Sequence, residues 1–285
     1  AKINYEGQLA LSWQTFWFGP FLVGGELGSP GEVSSALPAM LQTLRPLWRD
    51  RACDFLADSG SSSAEHLQAI EQAGFTHWSV SYNKWTTGPE RTAAALPENC
   101  WSTAAKTRWR DGVEVTEQYA GIRHTVAGSD FTFPLAVARW KKDDQMFWRY
   151  AFVAHDPRRT DAGAVMARHR LKGAREQLFK EVLRGLDLHH PPCASLVANR
   201  MFYAIAALAY NLMKAVQLLC LPDECQGWTV PTLLKQRVRL PATLVRHGRR
   251  LVTRVEVAVS WLGWWHQWQA RWWRAVAAEA AVPSG

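Results

Sequence analysis

Two carboxylates stand where a chain can hold a cation: Asp58 ends a short apolar run, and Glu176 lies on a helical stretch. Carboxylate oxygens on rigid elements are the ligands that hard ions such as Mg²⁺ prefer. Two such ions about 3.5–4 Å apart can activate an attacking oxygen and stabilise a leaving one in phosphoryl transfer. Plainer interpretations stay open. Asp58 can cap the next helix, and Glu176 can form exposed helix pairs with Lys172 and Lys180.

The segments around Asp58 alternate between strand and helix patterns. Residues 52–57 are short, apolar and bounded by polar residues, which predicts a central strand, and Ser59 and Gly60 predict a turn after it. Residues 64–73 are typical of a helix and residues 77–82 of another strand. This alternation predicts an α/β sheet. Asp54 is a rival carboxylate in the same strand, but it lies earlier in the strand and we rank it below Asp58.

The stretch from 167 to 219 predicts a helix, a tight turn and a second helix. The prolines of HHPP at 189–192 cannot continue a helix, so Gly185 is a candidate stop and Ser195 a candidate N-cap. The second helix should end before Pro222. Glu176 lies off the apolar stripe of the first helix, which consists of Leu171, Ala174, Leu178 and Val182.

Composition favours an anionic partner. The chain has 285 residues, 33 Lys and Arg against 25 Asp and Glu, a net charge of +8 and a pI near 9.4. Nucleic acid is the simplest such partner, and a merely basic protein is the alternative. The five cysteines form no CxxC pair, which fits a reducing cytoplasm. The 16 tryptophans exceed the needs of one core, so some should lie on surfaces.

The 167–219 stretch resembles the C-terminal catalytic segment of bacterial insertion-sequence transposases of the DDE class. Many of these carry the last catalytic carboxylate in a Tyr-x2-Arg-x3-Glu-x6-Lys pattern, and the matching positions here are His169, Lys172, Glu176 and Leu183. Only the glutamate matches strictly, and Lys172 keeps the basic character. The run RGLDLHHPPCASLVANRMFYAIAALAYNLM is closer to the family. The segment FLADSG is similar to the family's motif at its second aspartate, here Asp58.

The resemblance implies an RNase H-like α/β fold: a mixed sheet flanked by helices, with a β-rich insertion before the last catalytic helix. Residues 108–154 are β-rich and fit that insertion. The implied segments are 1–107 for the first part of the core, 108–155 for the insertion, 156–221 for the second part, and 222–285 for a basic, Trp-rich tail. Trp109, Trp140 or Trp148 could stack on a base flipped out of a transposon end, or fill the core of the insertion.

The function implied is Mg²⁺-dependent DNA cleavage and strand transfer at insertion-sequence ends. Asp58 and Glu176 would hold two divalent ions, with Mn²⁺ as a substitute. Double-stranded DNA, as transposon ends and target, would be the partner, bound by a homodimer in the bacterial cytoplasm at the nucleoid. Phosphate contacts are expected from Lys172, Arg175 and Lys180, and a second basic cluster lies at Arg246, Arg249, Arg250 and Arg254. Solvated basic faces are the alternative for both groups.

The first aspartate of the family would precede the segment AKINYEGQLALSWQ. No Asp precedes Lys2, and the first in the chain is Asp50. The resemblance therefore implies an N-terminally truncated chain that is unable to perform strand transfer alone. Two alternatives stay open: a catalytically inactive DNA-binding remnant of a transposase, and an RNase H-fold nuclease unrelated to transposition.

Further segments complete the prediction. Residues 2–18 and 21–26 predict strands, 34–48 a helix, and 243–259 a strand–turn–strand. Residues 263–278 predict a Trp-rich helix that packs on a core or a subunit, with a membrane-surface helix as a third alternative. The stretch 201–221 is the one candidate membrane span. Because it contains Lys214, and a mid-span lysine costs about 2.5–3.5 kcal/mol on insertion scales, we predict a buried core helix and no membrane.

Overall fold

The computed structural model describes residues 2–3, 9–82, 88–102, 106–110, 112–126, 129–142, 145–248, 250–256 and 259–280. The chain divides into two compact units. The first consists of Ala1–Gln14 with Gly28–Glu176, and the second of Thr15–Leu27 with Gln177–Gly285. The four segments expected from the sequence stay a prediction.

The strands are short in the N-terminal part and long in the middle of the chain. They are β1 (Lys2–Ile3), β2 (Leu9–Ala10), β3 (Ser12–Phe18), β4 (Phe21–Gly28), β5 (Asp54–Ala57), β6 (His77–Tyr82), β7 (Lys106–Arg110), β8 (Val113–Thr125), β9 (Thr132–Trp140), β10 (Arg149–His155), β11 (Ala242–His247) and β12 (Arg250–Val255). The single strand predicted over 2–18 is thus three pieces, with residues 4–8 outside the described part.

The helices are α1 (Pro30–Ser35), α2 (Leu37–Leu44), α3 (Ala64–Gln72), α4 (Pro89–Ala94), α5 (Ala162–His169), α6 (Gly173–Gly185), α7 (Leu196–Cys220), α8 (Val230–Leu233) and α9 (Leu262–Ala280). The helix predicted over 34–48 is wrong in its extent, because the chain forms two helices there and a 3-10 turn, Arg45–Leu47. Pro38 stands in the first turn of α2, where its missing N–H costs nothing.

One six-stranded sheet dominates the described part of the first unit, in the order β5-β6-β10-β9-β8-β7. β5 and β6 are parallel, with Asp54 opposite His77, and the other neighbours are antiparallel. A parallel pair needs a crossover connection, which α3 supplies. This curled mixed sheet with flanking helices is the predicted RNase H-like α/β fold.

The β-rich segment predicted as an insertion extends that sheet. Its strand β10 pairs with β6, with Phe152 opposite Tyr82, and β9, β8 and β7 follow outward. Helix α5 then packs on one face of the sheet over a core of Tyr119, Ala136, Ala138, Val153, Val165 and Met166. The segment before Glu176 therefore follows directly after a strand of the same sheet that contains β5, the strand before Asp58.

The helix predicted to run through 167–185 is broken. A 3-10 turn, Arg170–Lys172, separates α5 from α6, and buried partners hold His169 and Arg170 at the start of this turn, as described below. The predicted apolar stripe is wrong at its start, since Leu171 is 64% exposed and Ala174 is also exposed. Val182 is fully buried, as the stripe predicted.

Helix α6 ends at Gly185, but this glycine does not adopt the left-handed conformation that often ends a helix. Asp187, two residues later, adopts it, with φ 52°. The glycine is needed for another reason. A Cβ at this position would lie 3.0 Å from Cγ of Pro231, in the first turn of α8. The close approach of α6 and α8 therefore depends on a residue without a side chain.

Helix α7 begins at its predicted N-cap, where the Ser195 hydroxyl accepts a hydrogen bond from the Ala198 N–H at 3.5 Å. The prediction that this helix is buried in a core is wrong. Its polar side is buried, including Asn199, Lys214 and Gln217. By length and composition alone it could cross a membrane, a test that core helices also pass. Its large exposed aliphatic residues are Val197, Met201, Ile205, Leu208, Leu212, Leu218 and Leu219.

The C-terminal part of the second unit matches the predicted pattern. β11 and β12 form a hairpin whose turn contains Gly248 at φ 61°, a conformation that favours glycine. In α9, Trp264 and Trp268 pack against a buried cluster of Leu221, Cys225 and Leu233. These two tryptophans therefore pack on a core, one of the three roles expected for this helix.

Candidate active site

Asp58 follows strand β5 directly and faces solvent, with its side chain 76% exposed. Its Oδ1 accepts the Ser59 N–H at 2.9 Å and caps the 3-10 turn Ser59–Ser61. The capping role considered as an alternative in the sequence analysis is thus present, but it uses only Oδ1 of the carboxylate. Partial burial raises the pKa of this carboxyl, but the Ser59 N–H, the Lys172 ammonium and the Ser81 hydroxyl together hold that pKa below its ordinary value.

Glu176 lies in the first turn of α6, with its side chain 60% exposed. A carboxylate near the N-terminus of a helix interacts favourably with the positive end of the helix dipole. The exposed oxygens of Glu176 are open to a ligand from solvent.

Lys172 joins the two carboxylates. Its Nζ lies 3.3 Å from Oδ1 of Asp58 and 3.8 Å from Oε1 of Glu176. The lysine side chain is only 20% exposed, whereas both carboxylates are largely exposed. Two acidic groups that are far apart in sequence thus lie within ion-pair distance of one positively charged atom.

Two buried anchors position Lys172. His169, which precedes the turn, is 6% exposed and bonds Ser79 Oγ through Nδ1 at 2.9 Å and Ser81 Oγ through Nε2 at 2.8 Å. Arg170, the first residue of the turn, donates to the fully buried Glu117 carboxylate at 2.6 Å. Buried polar groups are costly unless paired, so these three bonds fix the turn that carries the lysine.

The environment of His169 keeps its ring neutral. Burial, followed by the Lys172 charge, lowers the pKa of this histidine to about 4 from an ordinary value of 6.5. His169 matches the tyrosine of the resembled pattern, yet its ring lies between helix and sheet. Ser79 and Ser81 were missed from the sequence. The signal for them was the alternation of small polar residues in the strand HWSVSY, whose other face carries Trp78, Val80 and Tyr82.

Asp54, the rival carboxylate, already has a partner. It lies at the start of β5 and forms an ion pair with Arg168 from the last turn of α5. Its side chain is 19% exposed, far less than that of Asp58. The ranking of Asp58 above Asp54 as the site carboxylate stays a prediction.

The carboxylate pair suits a hard cation that keeps much of its own water. Mg²⁺ is commonly bound by one or two carboxylates, with water and substrate phosphates completing the octahedron. Asp58 and Glu176 offer such a donor set, with exposed oxygens that already share one cationic group. Within the described ranges, no group of three or more His, Cys, Asp or Glu side chains is arranged to hold a metal ion.

The other basic candidates fall into two places. Arg175 precedes Glu176 on α6 and Lys180 follows it by one turn, and both side chains are exposed. Arg246 and Arg250 lie exposed on the β11–β12 hairpin, as does Arg254, while Arg249 falls outside the described residues. All of these residues stay predictions as DNA contacts.

The three tryptophans of the insertion differ in environment. Trp109 is 73% exposed on the edge strand β7. Trp140 is half-buried at the end of β9. The Trp148 ring lies 4.3 Å from the guanidinium of Arg139, whose other face contacts Trp101 at 4.1 Å. Trp109 is therefore the ring most available for stacking on a base, and Trp148 already stacks on a cation.

The family model described as Transposase DDE domain group 1 matches residues 22–266, which contain both carboxylates and the turn between α5 and α6. A search of curated proteins finds no match.

Proposed function

The chain belongs to the Transposase DDE domain group 1 family, and on this premise we propose that Asp58 and Glu176 are its metal-binding catalytic carboxylates. The reaction is cleavage of DNA at insertion-sequence ends and transfer of the cut ends to a target. Family membership supports the coarser statement, that the protein is a transposase acting on DNA. The metal dependence and the residues are our proposal.

One observation supports the assignment above the others. A single Nζ lies 3.3 Å from one carboxylate and 3.8 Å from the other, although α3, the β-rich insertion and α5 intervene in the chain. A fold that gathers two exposed carboxylates around one positive charge provides the donors that a divalent ion needs.

When bound, Mg²⁺ would neutralise phosphate charge and lower the pKa of an attacking water or hydroxyl. Asp58 is suited to ligation because its depressed pKa keeps it ionised in weak acid. The exposed carboxylate oxygens of Glu176 would bind the ion in the same way. Lys172 would then turn its ammonium toward a DNA phosphate, and exposed Arg175 would add a second contact. Mn²⁺ is the usual substitute for Mg²⁺ at such oxygen sites.

The partner we propose is double-stranded DNA in the cytoplasm, bound as paired ends by a homodimer. The excess of 33 basic over 25 acidic residues supports an anionic partner. Lys180 and the hairpin arginines Arg246 and Arg250 would add phosphate contacts, and Trp109 is our first choice for base stacking.

Calorimetric titration of the full chain with Mn²⁺ tests the metal proposal. We expect Asp58→Asn and Glu176→Gln each to weaken Mn²⁺ binding by at least tenfold, because each removes a ligand. Asp54→Asn is the matched control, since that carboxylate is paired with Arg168. Loss of binding in the control, with binding kept in the other two variants, would move the site to Asp54 and overturn the assignment.

A DNA-binding relative without catalysis is the second candidate. It is favoured by the finding that, within the part of the chain that is described, no third ligand of the searched types joins a metal-binding group. This candidate predicts duplex binding that is unchanged by Mn²⁺, EDTA or the Asp58→Asn substitution.

A further inference from the structure

Helix α7 presents an apolar face to solvent along its whole length. The large hydrophobic side chains exposed on this face are Val197, Met201, Phe202, Ile205, Leu208, Leu212, Leu218 and Leu219. In this helix, all of which lies within the described part of the chain, the one exposed polar residue is Arg200. Its Nη2 lies 2.7 Å from Oε1 of Glu26, so the face carries no charge beyond the first turns of the helix.

Polar partners hold the opposite side of α7 in place. The Asn211 amide pairs with the backbone of Leu22 in β4, accepting from its N–H at 2.9 Å and donating to its C=O at 2.8 Å. The ammonium of Lys214, whose side chain is buried, lies 3.0 Å from Oε1 of Glu181 on α6. Breaking such pairs is costly, so a rotation of α7 that buried its apolar residues is opposed. The apolar face is therefore fixed outward.

The area of this face is that of an interface rather than of an ordinary surface patch. Monomeric soluble proteins rarely expose contiguous apolar patches larger than a few hundred Å². With on the order of 100 Å² exposed on each of the eight large side chains, α7 presents roughly 800 Å². One partner in a standard protein interface buries about 800 Å². The face is thus large enough to hold a stable protein partner.

The spacing along the face is that of a helix packed lengthwise on another helix. Met201, Ile205, Leu208 and Leu212 follow one another at intervals of four, three and four residues, and Leu219 follows seven residues later. This repeat of 3.5 residues forms the seam along which two helices pack side by side. The pattern therefore favours a helical partner.

We propose that the apolar face of α7 is the interface with a second copy of this chain, in which the two α7 helices pack along one another. An uncharged apolar face is complementary to itself, as a two-fold dimer requires. A lipid surface fits less well, because helices that lie on membranes carry lysines and arginines beside the apolar face, whereas the only exposed cation of α7, Arg200, is paired with Glu26. The proposal rests on the homodimer of the function proposed above and is independent of its metal site.

Sedimentation velocity of the full chain, without DNA or metal, tests the interface. The unchanged chain is expected to sediment as a dimer at micromolar concentration. Leu208→Glu places a carboxylate near the centre of the face in both copies and should raise the dimer dissociation constant by at least about 100-fold. Leu244→Glu on β11 is the matched control, because Leu244 is 65% exposed and Leu208 60%. A monomeric unchanged chain, or equal dissociation constants for the two variants, would overturn the proposal.

Disulfide crosslinking makes the test independent of any effect of the glutamate on folding. Leu208 lies midway between Val197 and Leu219, so in a two-fold pair of α7 helices it is the residue that meets its own copy. The background replaces the exposed cysteines, Cys100 and Cys193, by serine. Leu208→Cys should then crosslink on mild oxidation and the background alone should not. A crosslinked fraction no larger than that of the background would contradict the interface.

Two further measurements separate this proposal from its neighbours. A monomeric chain that floats with vesicles of phosphatidylcholine and phosphatidylglycerol, and no longer does so in Leu208→Glu, would assign the face to lipid and overturn the dimer. The Mn²⁺ affinity of Leu208→Glu should stay within about twofold of the unchanged chain, since α7 carries neither proposed metal ligand. A monomeric chain that binds Mn²⁺ through Asp58 would overturn the interface alone, and a dimer whose Mn²⁺ binding survives Asp58→Asn would overturn the metal site alone.

Discussion

Lys172 sets the electrostatics of the site at the scale of single residues. Its ammonium faces two exposed carboxylates while its own side chain is mostly covered, so the charge is held in place by the protein. A divalent ion ligated by the same oxygens must compete with it. At about 4 Å in water-like surroundings, the attraction of unit charges is roughly 1 kcal/mol, or about a fivefold change in affinity.

Lys172→Met is therefore expected to tighten Mn²⁺ binding by about fivefold while weakening duplex binding. The opposite signs arise because the lysine competes with the metal and attracts the phosphate. Calorimetry with Mn²⁺ and fluorescence anisotropy with a labelled duplex measure the two effects. Lys235→Met, at an exposed residue of the second unit, is the control. Weaker Mn²⁺ binding in the Lys172 variant would contradict the competition.

His169 predicts a pH dependence of stability. Its pKa is near 4 in the folded chain, against an ordinary 6.5, because burial and Lys172 disfavour the charged ring. Between these values the unfolded chain binds a proton that the folded chain does not, so the free energy of unfolding falls as pH falls. The contribution is complete above pH 6.5 and is lost as pH falls to about 4.

Urea unfolding of His169→Gln at pH 4.5 and 7 measures this effect. The difference in unfolding free energy between the two pH values should shrink by up to about 3 kcal/mol relative to the unchanged chain. His66, His124 and His155, whose pKa values are also lowered by burial, titrate in both proteins and provide the common background. An equal pH dependence in both proteins would contradict a buried neutral ring.

At the scale of elements, the strands and helix ends that depend on neighbouring residues were predictable. Interruptions of a helix that depend on partners distant in the sequence were not. Residues 77–82 and the N-cap Ser195 are as predicted, because alternation and capping chemistry are written in a few neighbouring residues. The turn between α5 and α6 depends on Glu117 and Ser79, which come from other strands. No window of sequence around 170 contains those partners.

Helix α6 offers a matched pair of glycines. Gly185→Ala should destabilise the second unit by about 1 kcal/mol or more, because its Cβ would lie 3.0 Å from Pro231. Gly173→Ala, where nothing lies within 4 Å, should stabilise by about 0.4–1 kcal/mol, since alanine loses less entropy in a helix. Urea unfolding compares the two. Equal effects would contradict the close approach of α6 to α8.

For the whole molecule, net charge follows directly from the sequence, and the structure adds where the charged side chains lie. Basic residues near the site, such as Arg175, and those on the hairpin, such as Arg250, belong to different units. A sequence predicts that both groups can bind phosphate, but it does not predict which exposed side chains contribute. The two carboxylates that we propose for the site were chosen from the sequence because short motifs surround them, and their role stays a proposal.

Salt dependence of duplex binding counts the contacts. Replacing both Lys172 and Arg175 by Gln should reduce the slope of log affinity against log salt by about two, because each phosphate contact releases about one counterion. Replacing both Arg246 and Arg250 by Gln should reduce this slope by a similar amount if the hairpin binds DNA. An unchanged slope in the first pair would remove α6 from the DNA-binding surface.

Iron-directed cleavage of the protein backbone tests the central claim most directly. Fe²⁺ at an oxygen-ligand site produces hydroxyl radicals with ascorbate and peroxide, and these cut the chain next to the ion. The full chain is predicted to be cut near both 58 and 176, with both cuts suppressed by excess Mg²⁺ and lost in Asp58→Asn. Cuts at only one of these places, or cuts that persist in Asp58→Asn, would contradict a metal ion shared by the two carboxylates.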